Sequence, residues 1–112
     1  MKTYKLHVRL QGCGPKLLEE IKEDLEKTQD EMNYTKDLND GGSIKCTGKI
    51  EIIGKDVILD AEYEGHDSEY LDRMEDMKKQ VLSGEFQRSC KNDWDRFPDQ
   101  SCQKVIATVE VL

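Results

Sequence analysis

The residues with the clearest capacity for chemistry are four cysteines, Cys13, Cys46, Cys90 and Cys102. Cysteine thiolates bind zinc and act as nucleophiles or redox centres. None of the four forms a close CxxC pair, the spacing typical of structural zinc sites and thioredoxin-like motifs. In a reducing cytosol we therefore expect thiols, with metal binding or redox chemistry as the alternative function.

Three of these cysteines allow two specific alternatives, a zinc site and a disulfide. Zinc takes four ligands, so Cys13, Cys90 and Cys102 would need water or a carboxylate as the fourth. The candidate carboxylates follow Cys90 in the sequence: Asp93, Asp95 and Asp99. A disulfide between Cys90 and Cys102 would instead close the intervening segment and stabilise the protein by roughly 3 kcal/mol. No metal or other cofactor is required by the sequence, and we expect none.

Cys13 also lies just before Pro15, where a helix is predicted to begin. A helix dipole can lower the pKa of a thiol at this position and so activate it. A nucleophilic thiol also needs a base, and the only histidines, His7 and His66, are predicted far from it. A small residue in a tight turn is the simpler interpretation, and no catalytic residue is predicted.

Two groups of carboxylates have similarly simple explanations. His66, Asp67, Ser68 and Glu69 resemble a catalytic or metal-binding group, but Asp67 or Ser68 can equally cap a helix. Asp60, Glu62 and Glu64 alternate along a predicted strand, as expected for the charged face of a sheet rather than for an acid-base pair.

The pattern of apolar residues predicts one domain, 1–112, of class α+β. Alternating apolar positions predict strands near 4–10, 44–52, 57–63 and 105–111. Apolar residues three and four apart predict a helix from Pro15 to about Met32, and a second one ending at Gly84. The order βαββαβ resembles the ferredoxin-like sandwich, which implies two helices on one face of a four-stranded antiparallel sheet.

The ferredoxin-like arrangement would place the first and third strands side by side. Their exposed faces then carry Lys5, His7 and Arg9 opposite Asp60, Glu62 and Glu64. Opposite charges on neighbouring strands stabilise a sheet by about 0.2 to 1 kcal/mol per pair. The same arrangement gathers Cys13, Cys90 and Cys102 at one end of the sheet and leaves Cys46 towards the other.

The segment 84–103 shows neither helical nor strand periodicity and is predicted to be a long loop. It contains Phe86, Trp94 and Phe97, an aromatic content too high for simple disorder. These side chains either cover the end of the core, or Trp94, flanked by Asp93, Asp95 and Arg96, is an exposed anchor for a partner, because Trp and Arg are enriched at binding hot spots.

Charge limits the partners of this chain. With 17 Lys and Arg against 24 Asp and Glu, the net charge is −7, which disfavours direct binding to nucleic acid or to anionic membranes. The first predicted helix concentrates acidic residues, which favours a basic protein surface. No apolar run approaches the roughly 18 residues of a membrane span, and a cytoplasmic location is expected.

These features favour a small, acidic, non-enzymatic binding module or inhibitor. The predicted partner-binding residues are Glu19, Glu23, Glu26, Asp30, Trp94, Arg96 and Phe97. Their carboxylates would act as a nucleic-acid mimic on a nucleic-acid-binding protein. In size and charge the chain is similar to phage anti-defence proteins such as anti-CRISPRs, but no motif carries that likeness. A homodimer through the open sheet face, favoured by Ile58 and Ile106, is a third hypothesis.

Overall fold

The computed structural model describes residues 2–94 and 102–112, and in this part of the chain one antiparallel sheet packs against helices. The strands are β1 (Lys2–Gln11), β2 (Tyr34–Asp37), β3 (Ser43–Ile53), β4 (Asp56–Gly65) and β5 (Lys104–Val111). The helices are α1 (Pro15–Glu23), α2 (Leu25–Glu31), α3 (Ser68–Ser83) and α4 (Glu85–Trp94). The α+β class is confirmed, whereas the predicted count of four strands and two helices is wrong.

The strand order is β2-β3-β4-β1-β5, and every neighbouring pair is antiparallel. The first strand therefore lies beside the strand that the sequence predicts as third. Lys5 pairs with Glu62, and His7 pairs with Asp60. Arg9 pairs with Ile58 and instead reaches Asp56, to which its guanidinium donates at 2.7 and 2.9 Å.

The first predicted helix is present but interrupted at Asp24, which separates α1 from α2. The backbone at Asp24 leaves the helical region, with φ −103° and ψ 15°. Helical hydrogen bonds nevertheless continue across it, because Asp24 donates to the carbonyl of Glu20 and Thr28 donates to that of Asp24. The side chains before and after the interruption therefore keep nearly the spacing of a single helix.

The first half of the predicted loop forms the additional helix α4, so the prediction of a structureless loop is wrong there. Phe86 and Cys90 are four residues apart, so they lie on the same side of α4, and both pack against the core. The many polar residues between them hide this short pattern in the sequence. The rest of the predicted loop, 95–101, lies outside the described residues.

The additional strand β2 pairs with only the first part of β3, from Ser43 to Cys46. Its four residues are all exposed and show no inside-outside alternation, so it has no periodic signal in the sequence. Beyond β2, side chains take the place of a neighbouring strand. The amide of Gln29 donates to the Gly48 carbonyl at 2.6 Å and accepts from the Ile50 N–H at 3.0 Å.

Asn33 supports the same edge of β3. Its amide donates to the Gly48 carbonyl at 3.1 Å and accepts from the Gly48 N–H at 3.1 Å. Gly48 must be glycine for this close approach, because a Cβ there would lie 2.7 Å from the Cβ of Met32. An exposed strand edge is a template for pairing with another chain, and the two amides block this one.

The core lies between the sheet and the helices. Leu6, Val8 and Leu10 of β1 are buried on the helix side, as the strand alternation predicts. Tyr4 and Tyr70 form a second buried group with ring centroids 6.2 Å apart in an edge-to-face arrangement. The Tyr70 hydroxyl lies within hydrogen-bond distance of the Lys2 carbonyl, at 2.7 Å, and of the Tyr63 carbonyl, at 2.9 Å, which ties α3 to the sheet.

Candidate functional site

Four acidic residues of α1 and α2 form one row, which we call the acidic row: Glu19, Glu23, Glu26 and Asp30. Their spacings of four, three and four residues place them on one side of a helix, provided that the helix is nearly continuous. The hydrogen bonds across Asp24 supply that continuity. All four side chains are exposed, whereas Leu17, on the opposite side, is fully buried.

The acidic row makes no ion pair with the rest of the described protein, although Lys22 and Lys27 lie on the same helices. Residues 2–94 and 102–112 contain no ion pair to any of its four carboxylates. Eleven residues separate Glu19 from Asp30, so the row is about 16 Å long at a rise of 1.5 Å per residue. Four carboxylates over this length give one negative charge roughly every 5.5 Å, compared with 3.4 Å along one strand of duplex DNA.

The predicted aromatic part of the binding surface is only partly located. Phe86 packs against the core from α4, as the core-covering interpretation predicts. Trp94 is the last residue of α4. Arg96 and Phe97 lie outside the described residues, so their predicted role in partner binding stays a prediction.

The cysteines follow the predicted distribution. Cys13 and Cys102 are buried in one core cluster, and Cys90 packs against it from α4. Cys46 is buried separately under the β2 side of the sheet, beside the hydroxyls of Tyr34 and Tyr63. All four are thiols. The described residues contain no group of three or more His, Cys, Asp and Glu placed to hold a metal ion.

Cys13 lacks the exposure and the low pKa of an activated nucleophile. It is only 3% exposed, and its thiol donates to the Leu10 carbonyl at 3.5 Å. Burial, with smaller contributions from Cys102 and Asp56, raises the pKa of Cys13 to about 11. The alternative of an activated thiol is therefore not supported, because desolvation disfavours the thiolate and raises its pKa.

The residues around His66 lie at the start of α3, but the cap of this helix differs from the predicted one. Asp67 occupies the N-cap position of α3 and its side chain makes no capping hydrogen bond. Asp40, from the turn before β3, accepts instead from the Glu69 N–H at 3.2 Å, and Glu69 accepts from the Asp40 N–H at 3.3 Å. The N–H donors of Gly42 and Glu69 lower the pKa of Asp40. His66 is exposed, 3.9 Å from Asp67.

The side of the sheet away from the helices, here called the open face, is a mixture of acidic and basic side chains. His7 Nδ1 lies 2.5 Å from Asp60 Oδ1, in a pair that is about half exposed on both sides. Counting the outward positions of all five strands gives five Lys and Arg against seven Asp and Glu. They are Lys5, Arg9, Lys45, Lys49 and Lys104, and Asp37, Glu51, Asp56, Asp60, Glu62, Glu64 and Glu110.

A groove of about 410 Å³ crosses the open face over four strands. Its walls include Lys5, His7, Asp60, Glu62 and Glu110. Within residues 2–94 and 102–112, Lys5, Glu62 and Glu110 take part in no ion pair, although Lys5 pairs with both glutamates in the strand register. The sequence predicts the charges of this face but not the groove, since the groove is lined by residues from four strands that are distant in the sequence.

Comparisons with protein-family models, with curated proteins and with solved structures found no match to this chain. In the described part of the protein, no helix is both long and apolar enough to cross a lipid bilayer. A function is therefore inferred from the surfaces themselves.

Proposed function

We propose that this protein is a small acidic binding module that engages a basic partner protein through the acidic row. The observation that carries the proposal is the alignment of Glu19, Glu23, Glu26 and Asp30 on the exposed side of α1 and α2, without neutralising partners in the described residues. Isolated surface carboxylates are common, but four on one face concentrate negative potential along a line.

Such a row attracts a partner electrostatically. Complementary charges accelerate encounter and select the orientation of binding more than they add affinity. A basic groove that normally holds a nucleic-acid strand presents Lys and Arg along a line, so the acidic row would occupy it as a nucleic-acid mimic. An inhibitory role, similar to that of anti-CRISPR proteins, follows if the occupied groove is needed for function.

A lysine-rich peptide is a suitable first probe for this proposal. We expect isothermal titration calorimetry to show binding that weakens as the salt concentration rises, because salt screens exposed charges. In ¹⁵N NMR spectra of the same titration, the shifted amides should lie in α1 and α2. Displacement of a fluorescent oligonucleotide from the peptide tests the mimic in particular.

The matched variants change the same charge on different surfaces. Glu23→Lys with Glu26→Lys should raise the Kd at least about tenfold, equivalent to about 1.4 kcal/mol. Asp72→Lys with Asp76→Lys reverses two exposed carboxylates of α3 and should change the Kd less than about threefold. Equal weakening by both pairs, or NMR shifts centred on the open face, would refute the acidic row as the binding surface.

A further inference from the structure

The open face offers a second interaction surface, and its charges argue for a particular occupant. The chain carries a net charge of −7, whereas the outward positions of the sheet contribute only −2 of it. Two copies of the chain repel each other over most of their surface. The open face contributes little to this repulsion, because its acidic and basic residues nearly balance.

The charges of the two central strands are segregated by sign. On the open face, β4 presents Asp56, Asp60, Glu62 and Glu64 and no basic residue, whereas β1 presents Lys5, His7 and Arg9 and no acidic residue. A face with one acidic and one basic strand, side by side, is complementary to itself. We propose that the open face is the interface of a homodimer.

A two-fold axis parallel to the strands, above the boundary between β1 and β4, satisfies this complementarity. It places β1 of each copy over β4 of the other, as an isologous interface requires. Because the rotation preserves height along the strands, Lys5 comes to lie over Glu62 of the second copy. Lys5 and Glu62 are groove residues that lack an ion pair in the described part of one chain.

The size of the face is sufficient for a weak dimer. The four strands of 8 to 11 residues span about 30 Å in length and about 20 Å across, giving roughly 600 Å² per copy. The total of about 1,200 Å² lies at the lower end of specific interfaces. The helices lie on the other side of the sheet, so the dimer leaves both acidic rows exposed, and it does not depend on their proposed function.

Sedimentation equilibrium from about 5 µM to about 500 µM tests the dimer. The expected result is a mass that rises with concentration from 12.9 kDa towards twice that value. A mass that stays at 12.9 kDa throughout would overturn the proposal.

Charge reversal then locates the interface. A dimer of the Lys5→Glu variant would set two carboxylates against each other at each contact, and a dimer of the Glu62→Lys variant would set two ammonium groups there. Each variant alone should therefore associate at least about tenfold more weakly than the wild type. A one-to-one mixture of the two variants brings opposite charges together at both contacts of the heterodimer and should recover dimers. Dimers that persist undiminished in each single variant would overturn the proposed face.

The matched control mixes Lys5→Glu with Asp72→Lys, which has the same net charge as Glu62→Lys but is altered on α3. This mixture should form fewer heterodimers than the first one, and equal amounts would attribute association to net charge and overturn the pairing. If either variant fails to fold, carbodiimide cross-linking of mixed ¹⁴N and ¹⁵N wild-type protein replaces it. Cross-linked peptides of mixed isotope that join Lys5 to Glu62 support the dimer, and their absence overturns it.

Discussion

Replacing Gln29 tests whether side-chain amides complete the edge of the sheet. In a Gln29→Met variant the hydrogen bonds to the Gly48 carbonyl and from the Ile50 N–H are both lost, while the side chain keeps similar length. Gly48 retains its hydrogen bonds with Asn33, but the Ile50 N–H loses the partner that Gln29 provides. The contact is partly buried, so water replaces the lost amide only in part.

The magnitude follows from these losses. A hydrogen bond contributes about 0.5 to 1.5 kcal/mol net, and a buried donor without a partner costs about 1 to 3 kcal/mol. We expect the free energy of unfolding to fall by about 2 kcal/mol, out of the roughly 6 to 17 kcal/mol typical of a chain of this length. With a urea dependence of about 2 kcal/mol per M, the midpoint of unfolding should move down by about 1 M.

Urea titration followed by circular dichroism measures this shift, and two variants control it. Lys27→Met introduces the same residue at an exposed position of α2 and should change stability by less than about 0.5 kcal/mol. Gln29→Glu keeps an acceptor for Ile50 but points a second acceptor at the Gly48 carbonyl, so an intermediate loss is expected. Equal midpoints for Gln29→Met and Lys27→Met would refute the reasoning, because water would then satisfy the strand edge.

Three further predictions concern packing, pH and thiol chemistry. Gly65→Ala would place a methyl carbon 2.5 Å from the Tyr70 ring, so urea titration should show a loss of about 1 to 3 kcal/mol, and an unchanged midpoint would contradict the crowding. The Gly12 N–H and the Arg9 guanidinium lower the pKa of Asp56 below its usual 3.8. The Asp56 carboxylate therefore stabilises the fold above pH 3.8, and this stabilisation is lost as the pH falls through the lowered pKa. Asp56→Asn should therefore lower the Tm at neutral pH, with a difference from wild type that shrinks below about pH 3.8; a constant difference would show that the charge of Asp56 is irrelevant. Iodoacetamide at about pH 8 should label the partly exposed Cys90 before Cys13, whose pKa is raised to about 11, and mass spectrometry showing Cys13 labelled first would disprove its protection.

Period and register explain which parts of the fold were predictable. The alternation from Tyr4 to Leu10 and from Ile44 to Ile52 marks strands that bury one face, and the structure confirms both. β2 was not predicted, because all of its side chains are exposed and a strand that buries nothing has no alternation to detect. The helix α4 was not predicted, because only two of its described side chains, those of Phe86 and Cys90, pack against the hydrophobic core, and two apolar residues are too few to mark a helical period.

The candidate site was likewise predictable only in part from the sequence. The exposure of the acidic row was predictable, because its residues fall on the side of the helix opposite to the apolar stripe that contains Leu17. The high pKa of Cys13 was not, since it arises chiefly from burial in a core cluster that includes Cys102, a residue 89 positions further along the chain. The capping of α3 by Asp40 also joins distant segments, and Asp67 and Ser68 are the local candidates that the sequence offers.

The position of β1 within the sheet also has a consequence for folding kinetics. Leu10 pairs with Val57 on one side and with Val105 on the other, 47 and 95 residues further along the chain. During synthesis, β1 therefore remains without either neighbour until much of the chain that follows it has been made. The β3–β4 hairpin, whose strands are joined by a short turn, can form early, whereas the high contact order of β1 predicts that closure of the sheet limits the folding rate.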